Sequence, residues 1–413
     1  MQLGLRTTHA RLAGALALVA CGVLTCSGAS AQVRGAFSTT TTAFYESGGP
    51  LDMTVITPAA EASVDVGDSF GVRAGYSADI VSGASVAVVD GPSSAPDVVS
   101  SATKLDDIRH SVGGGLRLGT ETTSLRANYN YGVESDYRSH SFDVTGRAEL
   151  FERDTTLELT YARGFDAVCV LDQPRAQDPV NRQRLASSTG CFGTDTDRTT
   201  IDISLQTLQA TWTQDWTSLL ATQFSLSAQL IDGYQGNPYR GVWLGRTASM
   251  ENTPEVRVRY AAGLGVRFWI KPLSSALQLT GRAYRDTWDV RSVTAEVAYE
   301  QNIASGLSLR ARARFYTQSA AAFYSDDYSR APRGEYFTGD RELSAMGSWT
   351  LGGRIAFDVP ANDEGDVLGF LSELRLLGKA DVLLFTFDDF HYGAAAVPNT
   401  TAIVATISLE AAF

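Results

Sequence analysis

No run in the chain approaches the roughly 18 uninterrupted apolar residues that a membrane-crossing helix needs, so a helical span is not expected. Imidazoles and thiols are also scarce: four histidines (His9, His110, His140 and His391) and four cysteines (Cys21, Cys26, Cys169 and Cys191) in 413 residues. None of them falls at the close spacing that a tetrahedral zinc site requires. The spaced aspartates of a calcium loop are missing, and so are phosphate-cradling and dinucleotide-binding glycine motifs. Gly113-Gly114-Gly115 lies inside an alternating segment instead. An excess of basic residues is lacking too: 34 Lys and Arg stand against 46 Asp and Glu, a net charge of −12. That balance argues against a nucleic-acid partner.

The amino terminus has a distinct character. Arg6 and Arg11 precede the short apolar run Leu12–Ala20, and the small-x-small site Ala29-Ser30-Ala31 follows. This is the pattern of a secretory signal peptide, residues 1–31, with cleavage expected after Ala31. A competing reading takes Leu18-Val19-Ala20-Cys21 as a lipoprotein box with Cys21 lipidated. A mature chain from Gln32 keeps 32 basic and 46 acidic residues, net −14. It also keeps only Cys169 and Cys191. Two cysteines within one connection of an exported chain suggest a disulfide.

From residue 32 onward one pattern repeats. Phe70, Val72, Ala74, Tyr76, Ala78 and Ile80 alternate with Gly71, Arg73, Gly75, Ser77 and Asp79. The same alternation runs through 124–133, 256–268 and 307–316. A period of two marks strands with one apolar and one polar face. A soluble sandwich alternates as well, but here the polar face is rich in Gly and Arg, which suits a wall around a wet interior. About 16 strands are expected: 38–46, 53–66, 69–81, 107–118, 122–134, 137–150, 155–165, 200–213, 218–232, 255–269, 276–288, 290–302, 306–318, 339–357, 367–387 and 400–413. In 200–213 the apolar phase changes near Leu208, as a bulge would cause. The long connections 82–106, 166–199, 233–254 and 319–338 all follow odd-numbered strands, and the tight turns follow even-numbered ones. Bacterial barrels sort long loops to the outside and short turns to the periplasm in this way. Tyr76, Tyr131 and Phe165 fall near outer strand ends, and Phe151, Phe268 and Phe413 near inner ones, where interfacial aromatic girdles belong. The expected fold is all-β: a transmembrane antiparallel up-and-down β-barrel over residues 32–413, in the bacterial outer membrane.

The last strand carries Ile403, Ala405, Ile407, Leu409 and Ala411 on one face; Val404 intrudes on the polar one. Its ending on Phe413 resembles the closing strand of outer-membrane barrels, which implies that Ile407, Leu409 and Phe413 form an assembly signal read by the barrel assembly machinery. The runs Asp79–Ser85, Asp136–Ser141 and Tyr336–Ser344 resemble segments of a bacterial outer-membrane barrel family of undetermined function. That resemblance implies fold and location and no activity.

Chemistry is sparse. His140 has Ser139, Ser141 and Asp143 beside it, but adjacent strand residues point to opposite faces, so no catalytic triad is expected. Asp106-Asp107, Asp326-Asp327 and Asp388-Asp389 read as solvated loop charge, or as partners for divalent ions bridging to lipopolysaccharide. Neither a cofactor nor an enzymatic activity is indicated.

The inward phase is charged, with Arg126, Arg147, Arg257, Arg259, Arg267, Arg282, Arg310, Arg312, Arg314, Arg354 and Arg375 against Glu158, Glu296, Glu300, Glu342, Glu373 and Asp381. A cross-strand ladder that holds the wall accounts for most of this; pore-lining selectivity is the second reading. The patch singled out is Arg257, Arg259, Arg282, Arg310, Arg312, Arg314, Glu296 and Glu300; its upper members Arg257, Arg259 and Arg314 have fewer carboxylates in reach, so net positive charge is expected in the outer half of the lumen. Two functions follow. One is passage of small polar solutes through an aqueous channel, as medium-sized barrels usually allow. The other is a closed or loop-plugged barrel with a structural, adhesive or scaffolding role. Outer-membrane lipid and lipopolysaccharide are the expected surroundings; oligomeric state is left open.

Overall fold

The computed structural model describes residues 33–47, 53–83, 105–134, 136–171, 198–236, 241–243, 248–325, 328, 334–362, 366–392, 395–396 and 400–413. The leader, Cys21, Cys191 and Asp326-Asp327 lie outside them. The strands are β1 (Val33–Ser47), β2 (Met53–Val66), β3 (Phe70–Gly83), β4 (Leu105–Gly119), β5 (Thr123–Val133), β6 (Tyr137–Leu150) and β7 (Thr155–Leu171). They continue as β8 (Arg198–Thr217), β9 (Leu220–Gly233), β10 (Gly241–Trp243), β11 (Ala248–Met250), β12 (Val256–Ile270), β13 (Ser275–Asp286) and β14 (Arg291–Ala304). The rest are β15 (Leu307–Gln318), β16 (Met346–Asp358), β17 (Glu373–Phe387), β18 (His391–Tyr392), β19 (Ala395–Ala396) and β20 (Thr400–Ala412).

Sixteen of these close into one antiparallel barrel; β10–β11 and β18–β19 are small hairpins within connections. Closure joins the two ends of the chain. β1 pairs with β20 from Ala36–Ala412 to Ser47–Thr401. Beyond that ladder, Gly35 and Phe413 exchange two backbone hydrogen bonds, each 2.9 Å. The Phe413 ring then lies over Gly35, where a Cβ would come within 2.2 Å of it. That contact accounts for a glycine in the first strand and an aromatic at the last residue.

The wall is inside-out relative to a soluble protein. Large apolar side chains sit on the outer face with much of their surface uncovered, such as Leu159 (55%), Leu264 (55%) and Ile407 (74%). Paired arginines and carboxylates occupy the opposite phase. Only a lipid solvent makes that arrangement stable, since a charge turned outward at mid-membrane costs about 2–4 kcal/mol. At one end the turns are tight (67–69, 120–122, 151–154, 218–219, 271–274, 305–306) apart from the longer connection 359–372, and at the other lie the long connections 84–104, 172–197, 234–255 and 319–345. By the same sorting the first end is periplasmic and the second external.

Beyond strand ends that reach further than expected, as in β1 (Val33–Ser47), β7 (Thr155–Leu171) and β8 (Arg198–Thr217), three expected features differ, each for a local reason. Residues 339–345 do not extend β16. Asp340 accepts from the Glu342 N–H at 3.0 Å and caps a 3-10 turn over Arg341–Leu343. Residues 367–372 do not extend β17 either. Val367 and Leu371 pair across a tight turn in which Leu368 and Gly369 take positive φ (56° and 82°). Third, no bulge occurs near Leu208: β8 pairs with β7 without interruption from Arg198 to Gln214, and its register shift with β9 lies at Asp215/Thr217. The apolar residues change side because the lumen itself is apolar at that level. Ile203 and Leu205 point inward and are buried with Tyr137, Val168 and Ile231.

Candidate functional site

The candidate site is the lumen, and inward apolar clusters narrow its outer end. Val404, which breaks the alternation of the last strand, faces inward with Phe44, Met53, Met346, Phe385 and Ala402 in a buried cluster. A second inward cluster is the one around Ile203 and Leu205. A third packs Trp288 and Val290, from the β13–β14 turn, against Ala321 and Leu343 of the 319–345 connection.

The described residues of that connection are held at the mouth at three places. At its base, Gln318 on β15 donates to the carbonyls of Glu342 (2.7 Å) and Ser344 (2.8 Å). On one side, Phe337 exchanges backbone hydrogen bonds with Asn252 (2.8 and 3.0 Å), and the Thr338 hydroxyl donates to Glu251 at 2.6 Å. On the other, the Arg341 guanidinium reaches Glu46 on β1 at 2.9 Å and lies 5.0 Å from the ring centre of Phe387. The Glu46 side chain is 2% exposed. The run Tyr336–Ser344 is therefore the inward-folded segment itself. Sequence reasoning missed Glu46, Glu251, Trp288 and Arg341. Their signal was that run, whose second half was expected as the start of the strand 339–357.

Below the mouth the charge ladder is laid out by register. Glu300 stands opposite Arg310, and Glu296 opposite Arg314. Arg312 binds Glu296 at 3.3 Å and Asp381 at 2.8 Å; Lys379 also reaches Asp381, at 3.0 Å. Asp381 lies over Gly352, where a Cβ would come within 1.7 Å of its carboxylate, so the glycine makes room for the buried charge. Arg354 binds Glu300 at 2.8 Å, and Arg310 lies 3.9 Å from it.

Arg257 differs from the rest of the patch. It is buried at the outer end, bound to Asp286 through both Nε (2.8 Å) and Nη2, with its guanidinium 4.0 Å from the ring centre of Trp288. Asp286 also accepts from the Tyr284 hydroxyl (2.7 Å) and from the N–H groups of Trp288 and Val290 (3.0 Å each). This hub shapes the mouth and offers no free charge to a solute. Arg259 donates to Gln229 at 3.2 Å. Arg282 faces the lumen exposed.

Apart from the hub and the periplasmic rim, the wall from β12 to β17 turns Arg259, Arg267, Arg282, Arg310, Arg312, Arg314, Arg354 and Lys379 inward. Against these stand Glu296, Glu300 and Asp381. On the facing wall the signs are mixed, with Arg73, Arg117, Arg126 and Arg147 among Glu61, Asp65, Asp143 and Glu158.

The remaining candidates are peripheral. His140 points to the lipid side, where it bonds the Tyr129 hydroxyl at 2.7 Å and packs on Tyr131; Ser139, Ser141 and Asp143 face inward. His110 likewise meets Tyr76 on the outer face, at 2.9 Å. Asp388 and Asp389 are exposed, and the described residues hold no group of three or more His, Cys, Asp or Glu that could take a metal. Cys169 is buried and disulfide-bonded.

A closed 16-stranded barrel with an apolar outer belt, a charged lumen and tight turns at one end is a transmembrane barrel of the bacterial outer membrane. Residues 10–368 match the family described as protein of unknown function (DUF3570), and the chain belongs to that family. No curated protein matches it by sequence. Among solved structures it is similar to Pseudomonas aeruginosa OprD, with 8% identity over 93% of this chain and 98% of that one and a TM-score of 0.42. It is also similar to Acinetobacter baumannii OccAB1, with 8% identity, 92% and 97% coverage and a TM-score of 0.43. A bacterial polysaccharide outer membrane secretin gives 10% identity, 94% and 100% coverage and a TM-score of 0.47. Likenesses at this level bear on neither solute nor mechanism.

Proposed function

We propose that the protein is a passive channel for small polar solutes, narrowed at its outer end by the 319–345 connection and weakly favouring anions. The observation that carries this reading is the wall below the mouth, where eight cations face three carboxylates and Arg267 and Arg282 stand exposed to the lumen. A barrel serving only as a scaffold gains nothing from uncompensated lumenal charge. Passage through such a channel needs no catalytic step and no cofactor.

The rest of the proposal concerns how the barrel reaches and sits in its membrane. The leader 1–31 directs export with cleavage after Ala31, and the strand bearing Ile407, Leu409 and Phe413 is the segment the assembly machinery reads. The outer aromatic ring around Tyr76, Tyr129 and Tyr131 lies at the headgroup level of lipopolysaccharide.

Swelling of proteoliposomes in isosmotic solutes tests the channel reading. Glycerol and pentoses should enter and a tetrasaccharide should not. No swelling with any solute, from protein shown to be folded by its heat-modifiable gel migration, would defeat the proposal.

A further inference from the structure

Low on the β12–β16 wall is a cavity of about 180 Å³ lined by Arg267, Gln278, Glu300, Arg310 and Arg354, with two alanines. Three guanidiniums share it with one carboxylate. Drug-sized ligands occupy pockets of roughly 300–1,000 Å³, so this one suits a solute of only a few heavy atoms.

The arginines are unevenly committed. Arg354 is tied to Glu300 at 2.8 Å, while its Nε is buried without a hydrogen-bond partner. Arg310 donates to Gln278 at 2.9 Å, but its carboxylate neighbours Glu296 and Glu300 lie at 3.8 and 3.9 Å, in charge contact and beyond hydrogen-bond range. Arg267 is exposed to the lumen and makes no hydrogen bond or ion pair among the described residues. Three guanidiniums therefore line the cavity against one carboxylate, and Arg267 has no ion pair among the described residues. Planar forks of this kind match the paired oxygens of carboxylates and phosphates.

We propose that this cavity is a binding station for small oxyanions, either carboxylates or phosphates, passing through the lumen. The inference deepens the channel reading and rests on it for its biological meaning, but binding is measurable without transport. Glu300 is the internal competitor: it occupies Arg354 and lies in charge contact with Arg310, which tunes the station to bind weakly enough to release.

The test is calorimetric titration of the full barrel in detergent, with sodium phosphate and sodium succinate as separate probes at low ionic strength. Saturable binding of either probe is expected, and the stronger of the two identifies the oxyanion class. Arg267→Gln should weaken it about tenfold, as loss of a charged hydrogen-bonding partner does. Glu300→Gln should tighten it several-fold, an effect in the opposite direction that general loss of structure cannot produce. Arg126→Gln, on the facing wall, should leave it unchanged. No saturable binding of either probe to the wild type would overturn the proposal. So would equal weakening by Arg267→Gln and Arg126→Gln, which is the signature of unspecific attraction. Binding without solute flux would defeat the channel reading alone; flux without binding would defeat the station alone.

Discussion

Replacing Arg257 by Gln separates structural from conducting charge. In sequence Arg257 belongs with the lumenal patch, but in the structure its side chain is 9% exposed and that of Asp286 0%. Truncating one partner of a buried pair costs about 3–5 kcal/mol, because the other charge stays buried without compensation. Three donors to Asp286 survive the change, from Tyr284, Trp288 and Val290. The expected loss is therefore at the low end, about 3 kcal/mol. The buried contact with Trp288 adds about 2 kcal/mol more. Unfolding in urea from lipid vesicles, followed by tryptophan fluorescence, measures this. The double variant Arg257→Gln/Asp286→Asn should recover about 2 kcal/mol relative to the sum of the singles. Reversal potential should barely move in Arg257→Gln, yet shift toward cations in Arg267→Gln. A stable Arg257→Gln protein with an altered reversal potential would refute the reasoning.

Three further outcomes are expected. Arg341→Ala and Glu46→Gln each release the 319–345 connection from β1, so both should raise single-channel conductance; unchanged conductance in both would show that this ion pair does not narrow the mouth. Deleting Phe413, or replacing Gly35 by Leu, disturbs the β1–β20 closure and should cut outer-membrane levels several-fold in heat-modifiable gel assays, whereas Val33→Leu should not. Cys169 should be recovered linked to Cys191 in a non-reduced digest, a loop closure that contributes about 3 kcal/mol in the chain-entropy picture; two free thiols would rule it out.

The barrel was legible because its physics repeats. Lipid outside and water inside force a period of two on every strand, and the sorting of long and short connections needs no knowledge of pairing. The same alternation placed Arg257, Arg310 and Glu300 together on the inward phase. The mouth was not legible, because there the rule inverts. Val404, Ile203, Leu205 and Phe44 are apolar yet face inward, and in 200–213 this looked like a slipped strand. Burial of Arg257 was hidden for the same reason. Alternation fixes which side a residue faces; how deeply it is covered depends on a distant connection folding in. The run 336–344 carried that information, but its meaning depends on Glu46, Glu251 and Trp288, each far away in sequence. Asp381 over Gly352 is similar: the glycine alone gives no sign of the charge that needs its space.

Single-channel recording in planar bilayers under a potassium chloride gradient tests the central claim most directly. A folded barrel should give discrete steps of conductance. At about 0.1 M salt, where the Debye length is about 10 Å, its reversal potential should lie on the chloride side of zero. The preference should fade near 1 M, where screening shortens to about 3 Å. A heat-modifiable barrel that inserts and shows no steps, or one that selects cations at low salt, would contradict the account.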